Sequence, residues 1–535
     1  MTLIKSISGI RGTIGGPATE NLTPLDIVKF TTAYVRFIAE SAPGKRLKIV
    51  VGRDARISGE MVSNLVEGTL LACGANVVNV GLCTPPGTEM AVIGKKADGG
   101  IIITASHNPK EYNGYKAYWE DGAQIIAPHD VNIIDHVNRI KGVEAIRFNG
   151  DKSKIQIIGD EIDRQFLDAI KGLSLSPEAI ERHKDLKIVY TPIHGTGVKL
   201  IPESLRNYGF CNIIHVPEQD IPSGDFPTVA SPNPEVPSAM ALAIAKAKET
   251  DADLVMASDP DADRIGCVLR DAKGEYVLIN GNQIVMILLN YIMTRNAELG
   301  RLTGNEYIVK TIVTTETIKS IADKNNIRMF DCYTGFKWIA AVIRDHEGTA
   351  RYLGGGEESY GFLAEDFCRD KDAVSAISLM AEAAAWAKDK GLDFLQMLQD
   401  IYIKYGYSHE EGISVVRTGK AGAEEIQAMM KGFRENPPRQ LGGSDVTIIK
   451  DYESLSLTDV KNGNVSKLDM PTTSNVLQYF TADGTKVSVR PSGTEPKIKF
   501  YIEVHDKMSS PADYDRANAD AAVKIEAVKK DLGIA

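Results

Sequence analysis

The feature that most constrains the fold is a pattern that occurs three times along the first three quarters of the chain. In each occurrence, β-branched strands alternate with helical segments, and one strand leads directly into a polar loop. Alternating strands and helices are typical of α/β domains, in which helices cover both faces of a parallel sheet. Ligands bind such sheets beyond the carboxyl ends of the strands. We therefore expect three related α/β domains whose functional residues lie in these loops.

The length of the chain and a change in its pattern set the expected domains. A chain of 535 residues is too long to fold around a single hydrophobic core. Three or four domains of roughly 150 residues each are therefore expected. The predicted α/β domains cover residues 1–180, 181–300 and 301–408. From 409 to 535 the strand candidates are mostly antiparallel, with a hairpin signal at Asp483-Gly484. This last part is predicted to be an α+β domain.

Composition narrows the range of functions. Hydrophobic residues make up 43% and charged residues 25% of the chain, as in ordinary globular proteins. A net charge of −10 argues against nucleic acid as a partner, although a local basic cluster could bind a small anion. The six cysteines are scattered without a Cys-x-x-Cys pair, which favours a reducing compartment. Because no signal peptide and no apolar run of about 18 residues occurs, we expect a cytoplasmic protein with no membrane partner.

The first polar loop follows the β-branched run 101–104. Ser106 lies just beyond this predicted buried strand, and Lys116 follows a turn signal ten residues later. The Lys116 ammonium and the Ser106 hydroxyl could hold an anion or an activated oxygen between them. Arg11, in a glycine-rich N-terminal segment, could likewise present its guanidinium to a phosphate. The alternatives are a solvent-exposed loop and a flexible terminus, and the loop taken alone favours the solvent-exposed alternative.

Three aspartates alternate in the second loop. Asp259, Asp261 and Asp263 follow a predicted buried strand, and in an extended loop their carboxylates face the same way. Carboxylates this close repel each other unless a cation neutralises them, and oxygen ligands select Mg²⁺ or Ca²⁺. The EF-hand pattern is absent, which favours Mg²⁺ with a phosphate oxygen as a further ligand. A solvated acidic turn is the alternative, but the position after a buried strand favours the metal site.

The third loop and a loop of the fourth domain offer contacts for a sugar phosphate. Glu357 and Ser359 could hydrogen-bond to sugar hydroxyls. A glycine-rich connection whose acidic residues have no function explains this loop about equally well. The segment Arg490-Pro-Ser-Gly-Thr supplies a guanidinium, two hydroxyls and backbone N–H groups that suit a phosphate, with an ordinary turn as the alternative. A serine nucleophile, a Mg²⁺ site, a polyol contact and a phosphate cradle together favour phosphoryl transfer between a serine and a phosphosugar.

Taken together and in this order, the four loops resemble those of the α-D-phosphohexomutase superfamily and, within it, the phosphoglucomutase/phosphomannomutase family. Similar segments are the phosphoserine loop Thr104-Ala-Ser-His-Asn-Pro, the Mg²⁺ loop Asp259-Pro-Asp-Ala-Asp-Arg, the sugar loop Gly356-Glu-Glu-Ser-Tyr-Gly and the phosphate loop Arg490-Pro-Ser-Gly-Thr. The resemblance covers the whole chain. It implies three similar α/β domains with mixed sheets and a C-terminal α+β domain with a TATA-binding-protein-like fold, around a central cleft.

The resemblance also implies a role for each loop. Ser106 would carry a phosphoryl group and hold one Mg²⁺ per chain together with Asp259, Asp261 and Asp263. Proton transfer would fall to Lys116, with assistance from His107 and Lys337, while Arg11 and Arg264 would lie near the transferring phosphoryl group. The sugar contacts would come from Glu357 and Ser359, and the contacts to the non-reacting phosphate from Arg490, Ser492, Gly493 and Thr494.

The implied activity is that of an isomerase acting on a small phosphosugar through a hexose 1,6-bisphosphate. The segment Glu-Glu-Ser-Tyr-Gly is similar to that of glucose-type members, which favours the interconversion of glucose 1-phosphate and glucose 6-phosphate. Mannose phosphates are an alternative, and the segment 113–120 resembles members that act on pentose phosphates. Outside this class, a phosphosugar sensor without catalysis and a phosphoserine hydrolase stay open. The expected assembly is a monomer or a homodimer.

Overall fold

A computed structural model describes residues 3–6, 9–17, 20–271, 273–417, 419–492 and 497–534. The chain forms two units: the first comprises residues 1–309 and 335–395, and the second comprises residues 310–334 and 396–535. The domain boundaries that the sequence predicts near residues 180, 300 and 408 stay a prediction. Among the helices in the described ranges, none combines the length and the apolar character that crossing a membrane requires.

A seven-stranded sheet forms the N-terminal part of the first unit. The elements are β1 (Ile4–Ser6), β2 (Gly9–Thr13), α1 (Pro24–Ser41), β3 (Lys48–Arg53), α2 (Gly59–Ala72), β4 (Asn76–Leu82), α3 (Pro85–Gly94), β5 (Gly99–Ile103), β6 (Tyr112–Tyr118), α4 (His129–Arg139), β7 (Gln156–Ile157) and α5 (Asp160–Lys171). The strand order is β1-β2-β6-β5-β3-β4-β7. Because β3 is parallel to β4 and β5 whereas β6 is antiparallel to β5 and β2, the sheet is mixed.

Local sequence explains how this part folds. Helix α1 begins with a capping box formed by Thr23 and Asp26, and Pro24 lies in its first turn. Strand β5 is buried throughout because helices cover both faces of the sheet. On one face, side chains of α1, α2 and α4 form the core, and on the other face the core includes residues of α3 and α5. The strand that leads to Ser106 is therefore held rigidly between two layers of helices.

Two strands of this sheet differ from the sequence prediction. Strand β2 lies in the glycine-rich segment that favoured a loop, and β6 includes the Asn113-Gly114 pair that favoured a turn. A Cβ atom on Gly114 would lie 2.0 Å from the carbonyl oxygen of Ile10 on β2. Glycine is therefore present here because the neighbouring backbone approaches closely, which is its second use besides turns.

A five-stranded sheet forms the next part of the first unit. Its elements are α6 (Pro177–Arg182), β8 (Ile188–Thr191), α7 (Gly197–Tyr208), β9 (Ile213–His215), α8 (Pro237–Thr250), β10 (Leu254–Ser258), β11 (Ile265–Arg270), β12 (Tyr276–Ile279) and α9 (Gly281–Glu298). The strand order is β12-β11-β10-β8-β9, with β8 parallel to β9 and β10, and β11 antiparallel to β10 and β12. The aspartate loop therefore connects two neighbouring antiparallel strands, β10 and β11.

The following segment of the chain is divided between the two units. Its elements are β13 (Glu306–Thr311), α10 (Thr317–Lys324), β14 (Arg328–Cys332), α11 (Phe336–Asp345), β15 (Arg351–Glu357), β16 (Gly361–Ala364), α12 (Ala373–Asp389) and α13 (Phe394–Tyr405). The glycines 354–356 belong to β15, which pairs antiparallel with β16, and not to the loop that the sequence predicts. A Cβ atom on Gly355 would lie 2.4 Å from the Val309 carbonyl oxygen, so close backbone packing again explains the glycine.

The C-terminal part of the second unit is rich in antiparallel strands, as predicted. It contains β17 (Tyr407–Val416), α14 (Gly419–Glu435), β18 (Gln440–Leu441), β19 (Ser444–Asp451), β20 (Ser456–Asp459), β21 (Val465–Lys467), β22 (Leu477–Thr481), β23 (Lys486–Pro491), β24 (Lys497–Asp506) and α15 (Tyr514–Asp531). Seven strands follow the order β17-β24-β23-β22-β19-β20-β21, and β18 pairs with β19. The short strands β20 and β21 were not among the predicted strands.

Candidate active site

Loops of the first unit bring several predicted site residues together at the carboxyl ends of β5 and β10. Ser106 follows β5, and its Oγ donates a hydrogen bond of 2.9 Å to Oδ2 of Asp259, which follows β10. Lys116 lies on β6 beside β5, and its Nζ is 2.8 Å from Oδ2 of Asp263. Because these contacts join parts of the chain that are far apart in sequence, the fold itself assembles the site.

The backbone of Ser106 has an unusual conformation. Its φ angle of +51° lies in the left-handed region, and the residue is only 5% exposed. The Ser106 N–H donates to Thr104 Oγ1 at 2.8 Å, and the Ser106 Oγ lies 3.2 Å from Nδ1 of His107. Non-glycine residues with positive φ are uncommon and occur preferentially at functional sites, where the surrounding structure holds them in place. The hydroxyl is thereby turned toward Asp259.

The three aspartates of the second loop converge as the alternating spacing predicts. One carboxylate oxygen from each of Asp259, Asp261 and Asp263 lies within 4.8 Å of the others, and all three residues are buried. Oδ1 of Asp259 accepts the N–H groups of Asp263 and Arg264 at 3.0 Å each, which folds the loop. Within the described residues, Oδ1 of Asp261 and Oδ1 of Asp263 are buried without a hydrogen-bond partner. These oxygens fit a hard divalent cation such as Mg²⁺.

The electrostatics of the triad favour the same conclusion. Burial, together with the charges of Asp261 and Asp263, raises the pKa of Asp259 well above its ordinary value. Burial also opposes the ionisation of Asp263, but Lys116 and Lys371 lower the pKa of this carboxyl below its ordinary value. A divalent cation at the three carboxylates would offset the repulsion that Asp259 experiences.

Two buried lysines border the triad, and the sequence analysis missed one of them. Lys116 also lies 3.5 Å from Asp261 and 3.7 Å from Asp370, and although burial opposes the change, these acids with Asp263 raise its pKa. Lys371 places its Nζ 2.8 Å from Oδ2 of Asp263 and 3.4 Å from Asp370. The sequence signal for Lys371 is the charged run 369–372 directly before the apolar helix α12. Such a run is buried only when its charges are paired.

The predicted arginines and His107 lie beside the same loops. Nη1 of Arg264 donates to Oε1 of Glu235 at 2.7 Å, and its Nε is 4.0 Å from Asp259. Nη1 of Arg11, on β2, donates to Oδ1 of Asn108 at 3.3 Å, so this arginine contacts the serine loop. Burial and the positive charges of Arg264 and Arg11 lower the pKa of His107 well below its ordinary value. Burial and these positive charges therefore favour the neutral form of the imidazole beside Ser106.

The predicted sugar loop reaches the same part of the first unit. Glu357 ends β15, is 4% exposed, and accepts the Gly335 N–H at 2.8 Å. The Ser359 carbonyl accepts a hydrogen bond of 3.0 Å from Nη1 of Arg264, which links this loop to the aspartate loop. Lys337, in the first turn of α11, has its Nζ 5.9 Å from the centre of the Trp338 ring. Lys337 lies two residues after Gly335, whose N–H binds Glu357.

The predicted phosphate loop belongs to the second unit. Arg490 lies on β23 opposite Lys499 of β24, and the Ser492 N–H donates to the Lys497 carbonyl at 2.8 Å. Gly493 and Thr494 lie outside the described residues. The role of this loop in binding a phosphate stays a prediction.

Four protein-family models match the chain in order. Their descriptions are phosphoglucomutase/phosphomannomutase alpha/beta/alpha domain I over residues 3–144, domain II over 164–274, domain III over 280–405, and the C-terminal domain over 421–510. The order and descriptions of these models confirm three α/β domains followed by a different, β-rich domain.

Named relatives match most of the chain. The phosphoglucomutase of Staphylococcus epidermidis is 34% identical over 509 residues, which are 94% of this chain and 91% of that protein. The phosphoglucomutase of Staphylococcus aureus is 35% identical over 432 residues, which are 79% of this chain and 75% of that protein.

Solved structures share the fold. The phosphoglucomutase pp63/parafusin of Paramecium, in its open form, has a TM-score of 0.73 at 18% identity and covers 99% of this chain and 94% of its own. A putative phosphomannomutase from Thermus thermophilus has a TM-score of 0.71 at 20% identity, over 98% of this chain and 99% of its own. These likenesses show a fold class that the chain shares with solved structures of a phosphoglucomutase and a putative phosphomannomutase. Within that class, the chain belongs to the phosphoglucomutase/phosphomannomutase family.

Proposed function

We propose that this protein is an isomerase that interconverts glucose 1-phosphate and glucose 6-phosphate. The observation that carries the proposal is the buried Ser106 hydroxyl, which lies 2.9 Å from one of three converging aspartates. The named relatives support glucose as the sugar, since the Staphylococcus enzymes are phosphoglucomutases. The cytoplasmic location and the monomeric or homodimeric state that we expect from the sequence stay predictions.

In the proposed reaction, Ser106 carries the phosphoryl group. Its transfer forms a bond from a free hydroxyl oxygen of the sugar phosphate to phosphorus and breaks the bond from Ser106 Oγ to phosphorus, which yields glucose 1,6-bisphosphate. After the bisphosphate reorients, Ser106 Oγ attacks the phosphorus of the other phosphate, the bond from that phosphorus to the sugar oxygen breaks, and the isomeric glucose monophosphate leaves. In each step the oxygen that leaves phosphorus has to gain a proton, and the attacking hydroxyl has to lose one. Lys116 and His107 would carry these protons, a role that their contacts with Asp263 and Ser106 support.

The remaining residues would bind and orient the groups that react. Asp259, Asp261 and Asp263 would hold Mg²⁺, which neutralises charge on the transferring phosphoryl group when bound. Lys116, Lys371 and Arg264 would add positive charge at this end of the site. Glu357 and Ser359 would accept hydrogen bonds from the sugar hydroxyls, and Arg490, Ser492, Gly493 and Thr494 would bind the distant phosphate.

The test is a mutase assay with glucose 1-phosphate, Mg²⁺ and glucose 1,6-bisphosphate. The wild-type protein should form glucose 6-phosphate, and Ser106→Ala should reduce this activity to background. A matched control is Ser378→Ala, which changes another buried serine of the first unit and should keep the activity. The intact mass of the wild type should show a fraction with one added phosphoryl group that Ser106→Ala lacks.

Three outcomes would contradict the proposal. Full activity in Ser106→Ala would exclude this serine as the carrier. A kcat/KM for mannose 1-phosphate or ribose 1-phosphate above that for glucose 1-phosphate would keep the chemistry but exclude glucose as the preferred sugar. Release of inorganic phosphate without isomerisation would identify a hydrolase instead.

A further inference from the structure

Arg56 binds the backbone of the serine loop through both terminal nitrogen atoms of its guanidinium group. The side chain lies three residues beyond β3 and is only 2% exposed. Nη2 donates to the carbonyl oxygens of Ser106 and of Asn108, the latter at 2.6 Å. Nη1 donates to the carbonyl oxygens of Pro109 at 2.9 Å and Tyr112 at 2.8 Å. One side chain therefore holds four carbonyl groups between the proposed phosphoryl carrier and the start of β6.

Asp54 fixes this guanidinium and connects it to the triad. Nε of Arg56 lies 3.3 Å from Oδ2 of Asp54, and neither side chain is exposed. The same Asp54 oxygen accepts a hydrogen bond of 2.7 Å from Thr104 Oγ1, which lies 3.1 Å from Oδ2 of Asp261. The four N–H groups of Nη1 and Nη2 thus each have a carbonyl acceptor, while Nε is buried and makes an ion-pair contact with Asp54. The Phe226 ring, whose centre is 5.5 Å from the guanidinium carbon, covers it further.

The serine loop depends on such support because it is irregular. Ser106 has a φ angle of +51°, a conformation that persists only when neighbouring groups hold it. Ser106 is a buried residue of this irregular loop, its carbonyl has no sheet partner, and an unpaired buried carbonyl is unfavourable. The guanidinium of Arg56 takes the place of that partner. A displacement of the loop would move Ser106 Oγ away from Asp259 without changing any residue that we propose to bind the sugar.

We propose that Arg56, oriented by Asp54, is a positioning residue for the phosphoryl transfer at Ser106. The effect on the reaction rests on the proposed function, whereas the support of the loop by Arg56 rests on the structure alone. Misplacement of a reacting group by about 1 Å reduces rates by roughly 100-fold. The effect of weakening the guanidinium contacts should therefore appear in kcat, whereas the KM for glucose 1-phosphate should stay nearly constant.

The decisive variant is Arg56→Lys, which keeps the charge but offers three donors on a flexible stem. We expect kcat to fall about 10-fold to 100-fold, with KM within about threefold of the wild-type value. Hydrogen exchange of the amides in residues 104–112 should become faster, because the loop loses its shared partner.

Arg295→Lys is the matched control. Arg295 of α9 is also buried at 9% exposure, and its guanidinium contacts the Leu175 carbonyl at 3.0 Å and Glu178 at 2.8 Å, away from the serine loop. A purely structural role for Arg56 predicts that both variants lose thermal stability and keep kcat. Positioning predicts that only Arg56→Lys loses kcat and only its loop exchanges faster.

The inference is overturned if Arg56→Lys keeps kcat within twofold of the wild type and the loop keeps its protection. If Arg56→Lys does not fold, Asp54→Asn decides, because it weakens the contact to Nε and leaves the four carbonyl contacts. A reduced kcat at constant KM supports the inference, and a wild-type kcat overturns it. Absence of mutase turnover in the wild type would instead contradict the proposed function, and the exchange measurement would still test the support of the loop.

Discussion

Each of the two units buries a cluster of charged side chains, and the clusters differ in how their charges are matched. In the first unit, Lys116 and Lys371 both contact Oδ2 of Asp263 at 2.8 Å. Two carboxylate oxygens of the triad are left without a hydrogen-bond partner in the part of the chain that the structure describes. In the second unit, ammonium groups alternate with acids: Lys310 with Asp331 at 2.8 Å and Glu316 at 3.0 Å, Lys486 with Glu316 and Glu503 at 2.9 Å each.

Asp259 of the first cluster and Glu503 of the second consequently have pKa values shifted in opposite directions. Burial and like charges raise the pKa of Asp259 well above its ordinary value. Burial would also raise the pKa of Glu503, but Lys486 and His505 lower it to about 2. The second cluster is thus ionised and internally compensated, as expected for a structural network. The triad needs additional positive charge to ionise fully, as expected for a site that binds a cation.

The largest expected effect comes from removing a charge of the triad. Asp259→Asn should reduce mutase activity by about 1,000-fold or more, because the loss of a metal ligand removes several kcal/mol of transition-state stabilisation. The unfolding free energy of the metal-free protein should stay within about 1 kcal/mol of the wild type, since Asn keeps an acceptor for the loop N–H groups and relieves repulsion. Activity assays and chemical denaturation of the same preparations check both expectations.

A matched control for this variant is Asp98→Asn. Asp98 is also buried, at 5% exposure, but its carboxylate binds Lys45 and the Lys48 N–H. We expect this substitution to reduce stability and to leave activity unchanged. If Asp259→Asn lost as much stability as Asp98→Asn and kept its activity, the distinction between a binding cluster and a structural cluster would be wrong.

Removing a charge of the second cluster should have the opposite result. Lys486→Met leaves Glu316 and Glu503 without their shared ammonium group, and breaking a buried pair in this way costs roughly 3–5 kcal/mol of unfolding free energy. Lys319→Met is the control in the same unit, because Lys319 is 54% exposed and its ion pair with Asp323 contributes about 0.5 kcal/mol or less. Denaturation followed by circular dichroism measures both, and equal losses would show that the cluster is not a structural network.

The sequence predicts the triad well because its geometry is local. Asp259, Asp261 and Asp263 are separated by single residues, so their convergence follows from strand geometry alone. The four-domain class is predictable for a similar reason, since strands and helices alternate along the first three quarters of the chain and antiparallel strand candidates follow. The binding of Mg²⁺ and the roles of the individual residues stay predictions.

The residues that sequence analysis missed act over long separations. Arg56 binds the carbonyl of Ser106, 50 residues away, and Lys371, just before α12, pairs with Asp263 in the loop between β10 and β11. A single sequence contains no signal for such pairs except that a charged residue lies in an apolar context. Strand β6 escaped prediction because Gly114 has two explanations, a turn or a close backbone approach, and only the neighbouring strand decides between them.

A smaller expected effect is the change that Mg²⁺ causes in the unfolding free energy, which should depend on the triad and not on the second cluster. A ligand that binds only the folded state at 100 times its Kd stabilises it by about 2.7 kcal/mol. Saturating Mg²⁺ should therefore raise the unfolding free energy of the wild type, and chelation should reverse the change. Asp259→Asn should lose most of this stabilisation, whereas Lys319→Met should keep it. An equal response of Asp259→Asn and the wild type would place the cation elsewhere.

The smallest expected effect concerns His505, at the edge of the second cluster. Its Nε2 lies 3.2 Å from Oε1 of Glu503. Burial and Lys486 oppose protonation, but Glu503 and Glu410 together raise the pKa of His505 above its ordinary value.

Because the folded pKa of His505 lies above the unfolded value of about 6.5, its stabilisation is complete below that pH and disappears as the pH rises through the folded pKa. The stability advantage of the wild type over His505→Gln should therefore be larger at pH 6 than at pH 9, and smaller at either pH than the loss in Lys486→Met. Chemical denaturation of both proteins across this range measures the difference. An advantage that grows with pH would mean that the second cluster favours the neutral imidazole, and that its charges are not matched in the way that distinguishes it from the triad.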